Sequence, residues 1–460
     1  MSSLQTDIVV LGATGFTGRL ITRYLALHPQ HTRGLFSFAV AARSQSRLHE
    51  LVQDLSLPPQ INTIRVDVTN DAEVESVVKS ARVVINTVGP YWRWGTPVVR
   101  ACVKSGTHYV DLTGESYWIK SIIDQFDYLA TKTGAIIVPS CGMDSIPSDV
   151  TAFLANKALK AYGELELRAS TTAFKVRGGI SGGTLGTMMS SIEEVPKEKL
   201  RVASMEYALS PVKGLNRTPF NFSYSLDVPG AKTLVGAFFF MKPTNKALVQ
   251  RTFGLLELEA LKASGSTNSR SSVTTARRER YGPNFSYDEF IVMPSRLAAI
   301  MFSAAFAIGF GMLTFVRPFR WLVKKCMTQP GGGPSDESME KGFIECTNIT
   351  TSTSDPPVYA KSVFTGNGDP GYLLTAIMIS ESALSLLLPP VSVTNSSGAS
   401  SQSGSLPTGL PSFARRGGIL TPMTAFGDVL LTRLTETGRF EFKYEIVGST
   451  GSAEEGRKNV

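Results

Sequence analysis

Residues 7–25, DIVVLGATGFTGRLITRYL, constrain this chain more than any other stretch. The apolar run Ile8, Val9, Val10 and Leu11 has the length and unbroken hydrophobicity of a strand covered on both faces. A glycine turn follows, Gly12-Ala13-Thr14-Gly15-Phe16-Thr17-Gly18, and then Leu20, Ile21, Tyr24 and Leu25 recur at helical spacing. Strand, glycine turn and helix together make a pyrophosphate site: backbone N–H groups at the helix start face the anion, and the helix dipole favours negative charge there. Gly12 is expected to allow the tight turn, Gly15 the approach of phosphate to backbone, and Gly18 the close packing of helix on strand. The spacing is G-x-x-G-x-x-G, not G-x-G-x-x-G. Taken alone, the turn also fits a plain strand–helix corner.

The residues after the turn extend the pattern. Segment 35–42 (LFSFAVAA) reads as a second buried strand, and 61–68 (INTIRVDV), 81–88 (ARVVINTV), 107–112 (THYVDL) and 135–138 (AIIV) as further strands. Helices are expected between them, at 46–55, 71–79, 96–104 and 116–132. This alternation calls for a parallel sheet with right-handed crossovers, whose ligands bind at the carboxyl ends of the strands.

The unusual residues gather at those ends. The second strand runs into Arg43-Ser44, where an acid would bind the ribose 2′-OH of NAD and an arginine accommodates the 2′-phosphate of NADP. The corner thus favours NADP(H) over NAD(H); the competing reading is an arginine at a solvated sheet edge. Asp67 falls where a side chain would lie beside the adenine. Asn86, Val88, Gly89 and Pro90 follow the fourth strand and are expected to border the nicotinamide. Tyr91 is a candidate general acid there, against the plainer reading of a tyrosine packed after Gly-Pro. Asp111 and Glu115 (in YVDLTGE) and Asp144 (in SCGMDSIPSD) are substrate-pocket candidates. Helix capping is the alternative for each, and Ser145-Ile146-Pro147 has the form of a helix start.

Net charge is +8, with 46 Lys and Arg against 38 Asp and Glu. No basic tract is interleaved with aromatics, so the charge points to anionic cofactors or an anionic membrane surface and not to nucleic acid. The four cysteines lie far apart with no C-x-x-C pair, and the four histidines are unclustered. Neither a disulfide framework nor a metal site is expected. Residues 1–6 are polar and lack the form of a secretory leader, so the sequons at Asn216 and Asn348 carry no expectation of glycosylation.

Segments 12–18 (GATGFTG), 88–91 (VGPY), 95–102 (GTPVVRAC), 109–115 (YVDLTGE) and 142–148 (GMDSIPS) together resemble the saccharopine dehydrogenase-like oxidoreductases, and 417–426 (GGILTPMTAF) looks like that family's C-terminal signature. The family includes bacterial trans-acting enoyl reductases of glycolipid assembly. The resemblance implies an α/β fold, a Rossmann-type doubly wound parallel sheet with a second α/β (α+β) domain; an apolar, membrane-associating helical segment is expected in addition, from residues 297–316 themselves. The expected division is an NADP-binding domain at 1–150, a substrate and dimerisation-type domain at 151–390, a disordered loop at 391–409 on its Ser/Gly/Pro/Thr content, a return to the core at 410–450, and a tail at 451–460. A homodimer is consistent with that second domain. The residues by which true saccharopine dehydrogenases recognise an amino-acid adduct find no match here.

Beyond residue 151 the pattern loosens. Strands are expected at 164–172, 342–348, 358–365 and 440–446, and helices at 185–192, 371–388 and 430–434. Residues 178–187 (GGISGGTLGT) form a second glycine-rich stretch, either facing the cofactor cleft or serving as a joint. Residues 264–272 and 276–280 read as an exposed excursion, and 328–337 as a linker.

Residues 297–316 carry no charge over 20 positions, the length needed to cross the hydrocarbon core as a helix. Arg296 precedes them; Arg317, Arg320, Lys324 and Lys325 follow, with Trp321 placed for the interface. The alternatives are a buried core helix, a crossing, or monotopic insertion, including a hairpin bent near Gly309 and Gly311. If the C-terminal signature belongs to the same fold, insertion without crossing is favoured.

The expected function is NADP-linked reduction of a carbonyl or enoyl group in a lipid-like or polyketide-like substrate. The expected place is a cytosol-facing membrane: lipid droplet, endoplasmic reticulum or plasma membrane. A non-catalytic NADP(H)-binding scaffold or sensor is the alternative, since no Ser-Tyr-x-x-x-Lys set is present. Genuine saccharopine chemistry is a third reading.

Overall fold

The computed structural model describes residues 6–179, 182–214, 221–264, 276–326, 332–393 and 406–448. The predicted strands of the first third form one sheet. β1 (Thr6–Leu11), β2 (Phe38–Ala42) and β3 (Asn62–Arg65) run to one side, and β4 (Ala81–Asn86), β5 (His108–Asp111) and β6 (Ile136–Val138) to the other. With β13 (Gly418–Ile419) the order is β13-β6-β5-β4-β1-β2-β3, every pairing parallel. Ile8, Val9 and Val10 are fully buried, as an unbroken apolar run between two helical layers requires. The order in which strands are added reverses between β1 and β4, which opens a crevice above their carboxyl ends. The motif at 417–426 supplies β13 and so returns the chain to this sheet.

The second sheet is mixed. β7 (Leu167–Arg177), β8 (Tyr224–Leu226), β9 (Leu234–Ala237), β10 (Ser286–Val292), β11 (Phe343–Ser352), β12 (Tyr359–Asn367) and β14 (Phe440–Val447) follow the order β14-β12-β11-β7-β10-β9-β8. Only β7 and β10 pair in parallel. The helix Ile146–Gly163 packs on β11, β12 and β14, while the helix Leu373–Ser385 packs on both Phe16–Leu27 and Gly427–Glu436.

Several expected boundaries move for identifiable reasons. The helix expected at 96–104 spans Tyr91–Ser105, because the Glu115 carboxylate accepts the N–H groups of Tyr91 (2.7 Å) and Trp92 (2.8 Å) and caps it five residues early. The strand expected from residue 164 starts at Leu167, since Glu164 adopts φ 54° and ends the preceding helix. The helix expected at 185–192 spans Gly182–Glu194. In the linker at 328–337, Ser335 caps a short helix, Asp336–Glu340. Arg280, expected to be exposed, is half-buried and paired with Glu166. Residues 265–272, 394–405 and 451–460, expected as excursion, loop and tail, lie outside the described residues. The described part of 391–409 is anchored: the N–H groups of Val391 and Ser392 bond the Glu436 carboxylate.

The apolar stretch at 297–316 forms the helix Arg296–Phe315, capped by Ser295. Only Ala299 and Ser303 of this helix are buried, so it is not a core helix.

Candidate active site

The turn after β1 builds a cradle of bare backbone. Gly12 adopts φ +81°, and a Cβ there would stand 2.6 Å from the Thr87 hydroxyl. At Gly18 a Cβ would meet the Gly12 carbonyl oxygen at 2.2 Å, so the helix sits as close to the turn as a hydrogen permits. Gly15 is different: its backbone is extended, and a Cβ there would lie 3.3 Å from the Gly12 carbonyl oxygen, a tight contact but not a clash. The first helical bond runs from Arg19 N–H to the Gly15 carbonyl. The N–H groups of Phe16, Thr17 and Gly18 therefore have no intrahelical acceptor, and no side chain caps this helix. Ala13 is buried and bonded to Ala41; the Phe16 ring turns away to meet Tyr372 edge-on at 5.3 Å. These two shape the cradle and do not line the cleft.

A cleft of about 700 Å³ runs from this turn along the sheet edge. Gly12, Thr14 and Gly15 line its middle; Arg43, Ser44 and Asp67 line one end, and Val88 and Gly89 the other. Neither Arg43 nor the neighbouring Arg47 forms an ion pair among the described residues, so two cations face the cleft. Ser44 accepts the Arg47 N–H at 3.4 Å and starts the helix Gln45–Asp54. Asp67 accepts both the N–H (2.9 Å) and the hydroxyl (2.7 Å) of Thr69, and these bonds, with Arg43 nearby, hold its carboxyl below the usual range. Arg47, Thr69 and Trp94 also line the cleft and escaped the sequence reading. Arg47 had a signal, one helical turn after Arg43, whereas Trp94 enters only because its helix starts early.

Around Gly89, five expected site residues are committed elsewhere. The buried Tyr91 hydroxyl donates to the Asn86 carbonyl (2.9 Å) and accepts the Leu112 N–H (3.2 Å). Burial, then Asp111, pushes its pKa well up. Its proton faces backbone and not the cleft, which corrects the general-acid expectation in favour of packing. The Asn86 amide donates to Tyr109 (3.1 Å), and its oxygen accepts the Val88 N–H (3.0 Å), so it shapes the loop from beneath. Asp111 accepts Thr113 N–H, Ser140 N–H and the Tyr109 hydroxyl, each within 2.8–2.9 Å. This fully buried group ties the ends of β5 and β6 and is not a pocket acid, although burial lifts its carboxyl to about 7. Glu115 is the cap described above, with Tyr117 as a third donor. Pro90 is the N-cap residue of that same helix.

Asp144 contrasts with all of them. It sits at the carboxyl end of β6, half-buried, with Oδ1 3.8 Å from where a Gly114 Cβ would lie and Met241 close by. Its carboxylate accepts no hydrogen bond among the described residues, and burial raises its pKa to about 7.

Comparison with known proteins agrees with this geometry. The saccharopine dehydrogenase NADP binding domain matches residues 8–138. The trans-acting enoyl reductase of Mycobacterium ulcerans (strain Agy99) is 31% identical over 453 residues, covering 95% of this chain and 98% of that one. The trans-acting enoyl reductase of Mycobacterium tuberculosis (strain H37Rv) is 31% identical over 447 residues, 94% and 96% of the two chains. The chain belongs to the saccharopine dehydrogenase-like oxidoreductases. Its fold also matches the apo saccharopine dehydrogenase (L-Glu forming) of Saccharomyces cerevisiae, with a TM-score of 0.50 at 12% identity over 96% of this chain and all of that one.

The cleft fits the cofactor of that domain. Uncapped N–H groups at residues 16–18 suit a pyrophosphate, and the side-chain-free Gly12 lets the turn pack closely on Thr87 and Val88. Among the described residues no cluster of His, Cys, Asp or Glu has metal-binding geometry. The protein is an oxidoreductase built to bind NADP(H).

Proposed function

We propose that the protein uses NADPH, in preference to NADH, to reduce an enoyl double bond, or a carbonyl, in a lipid-like or polyketide-like substrate. The observation that carries this is the cleft at residues 12–18: its glycines hold open a phosphate cradle, and Arg43 and Arg47 face the 2′-phosphate end. The enoyl class rests on the relatives' name. NADPH, when bound, supplies the hydride to the electron-poor carbon. The chain's own part is to orient the cofactor, to keep the Gly89 end free of competing side chains, and to hold a proton on Asp144. A carboxyl with a pKa near 7 is suited to protonating the adjacent carbon or the oxygen. The exposed apolar helix Arg296–Phe315 supports work at a cytosol-facing membrane or lipid-droplet surface, where such substrates reside.

The test is NADPH consumption by the purified chain with enoyl and carbonyl thioesters of increasing acyl length. Turnover that rises with acyl length is expected. NADPH binding without turnover of any of them would reduce the protein to a dinucleotide-binding scaffold. Turnover of saccharopine would point instead to amino-acid chemistry.

A further inference from the structure

Two consecutive helices, Arg296–Phe315 and Arg317–Cys326, stand out from the second sheet. A helix apolar on every side needs apolar surroundings, either a protein core or lipid. Here protein covers only its first turns. Ser303 accepts the Phe238 N–H at 3.0 Å, and the Phe306 ring lies 5.4 Å from that of Phe238. Further along, Ile308 is 65% and Phe315 80% exposed, on a helix of mean hydropathy 2.0. The flanks are cationic: Arg296, Arg317 and Lys325 are exposed and have no acidic partner among the described residues. Trp321 and Leu322 on the second helix are exposed beside them, with the Lys325 ammonium 5.3 Å over the Trp321 ring.

The sheet pairings decide how such a helix meets a bilayer. β7, before the helix, pairs along its length with β11, after it, and β13 pairs with β6. A crossing would put those partners on opposite sides of the membrane. Arg320 also folds the chain back, donating to the carbonyls of Leu313 and Thr314, both at 2.7 Å.

We propose that the two helices form an arm that inserts into a single leaflet of an anionic lipid surface without crossing it. Its hydrophobic helix enters the acyl region, and Arg317, Lys325 and Trp321 lie among the head groups. The arm is tied to the active site. Lys324 and Arg320 pair with Glu193 at 2.6 and 3.7 Å. Glu193 belongs to the helix Gly182–Glu194, whose Thr187 hydroxyl stands over Gly89, 3.9 Å from where a Cβ there would lie. Docking thus holds the Gly89 end of the cleft near the surface. This deepens the reductase reading, on which it rests, by naming where a lipid substrate is met.

Flotation of the full chain with phosphatidylcholine vesicles, with and without phosphatidylserine, tests the arm. Co-flotation is expected, stronger with phosphatidylserine and weakened by salt. Ile308→Asp with Phe315→Asp should abolish it, leaving the melting temperature and NADPH titration unchanged, because both side chains are largely exposed. Arg317→Gln with Lys325→Gln should weaken it on the order of tenfold, selectively for the anionic vesicles. Wild-type protein that ignores both vesicle types overturns the proposal. So does a double aspartate variant that floats normally, or a dimer in sedimentation that this variant dissolves. Tags at the two ends should be cut by protease from the same side; protection of one tag would mean a crossing and refute the single-leaflet arm. An NADPH titration on the same preparation separates the two readings. Flotation without NADPH binding sinks the reductase and spares the arm, whereas binding without flotation does the reverse.

Discussion

The two seven-stranded sheets place their polar residues in opposite ways. In the parallel sheet the interiors of the central strands β1, β2 and β4 are apolar, and the side chains with chemistry gather at the carboxyl edge. In the mixed sheet a polar network runs through the interior. Glu289 accepts from Ser148, Tyr287 and Asn245 at 2.7–2.8 Å. Tyr287 bonds Thr172, and Asn348 bonds Thr172 and Ser170, at 2.8–3.0 Å. These residues come from β7, β10, β11 and two helices, and all are buried. An edge acid can act on a ligand; a satisfied interior network aligns strands that are distant in sequence, and each of its bonds is costly to orphan. The comparison teaches that a raised carboxyl alone does not mark a catalyst. Asp111, Asp144 and Glu289 all rise to about 7, and only Asp144 lacks partners among the described residues.

A third cluster joins the regions and gives the largest expected effect. Glu381 bonds Arg433 at 2.6 Å and also binds Tyr24 and His28, so it locks the first helix to two helices that lie between β12 and β14 of the mixed sheet. Breaking this buried pair with Glu381→Gln should cost about 3–5 kcal/mol in denaturant unfolding. Arg433 and its other partners hold the Glu381 carboxyl at about 2 against burial, below its ordinary 4.5. Its stabilisation is therefore full above about 4.5 and lost as pH falls toward 2. The variant should lose that part of the acid sensitivity; an unchanged acid profile would mean that the regions are not joined there.

Asp144→Asn sharpens the contrast between edge and interior. It should lower kcat by roughly 10²–10⁴ with NADPH affinity intact. Wild-type turnover should decline as pH rises through about 7, where Asp144 loses its proton, and the variant should lack that limb. Equal turnover in both would remove Asp144 from the chemistry. Arg43→Ala should weaken NADPH by about tenfold to a hundredfold in calorimetry and leave NADH nearly unchanged. Parallel losses would contradict a 2′-phosphate contact. The smallest effect is expected inside the mixed sheet: Thr350→Val removes bonds to Ser170 and Asn348 and should cost about 1 kcal/mol in unfolding, with no change in NADPH affinity.

The same contrast explains what was legible. The parallel sheet is made of local strand–helix units, so periodicity located β1 to β6, and the glycine turn and Arg43 fell in the cleft where expected. The missed features depend on partners far along the chain. The early helix start at Tyr91 needs Glu115, 24 residues on. The Tyr91 hydroxyl is engaged by the Asn86 carbonyl and the Leu112 N–H, which no local pattern reveals. Capping and packing, the plainer readings of Glu115 and Tyr91, are what the fold uses. The order of the mixed sheet, with β7 between β10 and β11, rests on pairings across more than a hundred residues and has no local signature.

The central claim is that a dinucleotide's phosphates rest on the bare backbone of residues 12–18. Calorimetric titration of the folded chain with NADPH, beside Gly15→Asp, tests it most directly. Gly15 has ordinary backbone angles, so an aspartate there should leave the fold intact and set a carboxylate against the phosphates. The account predicts saturable NADPH binding to the wild type and none to the variant, at equal melting temperatures. A folded wild type that binds neither NADPH nor NADH, or a variant that binds as well as the wild type, would contradict it.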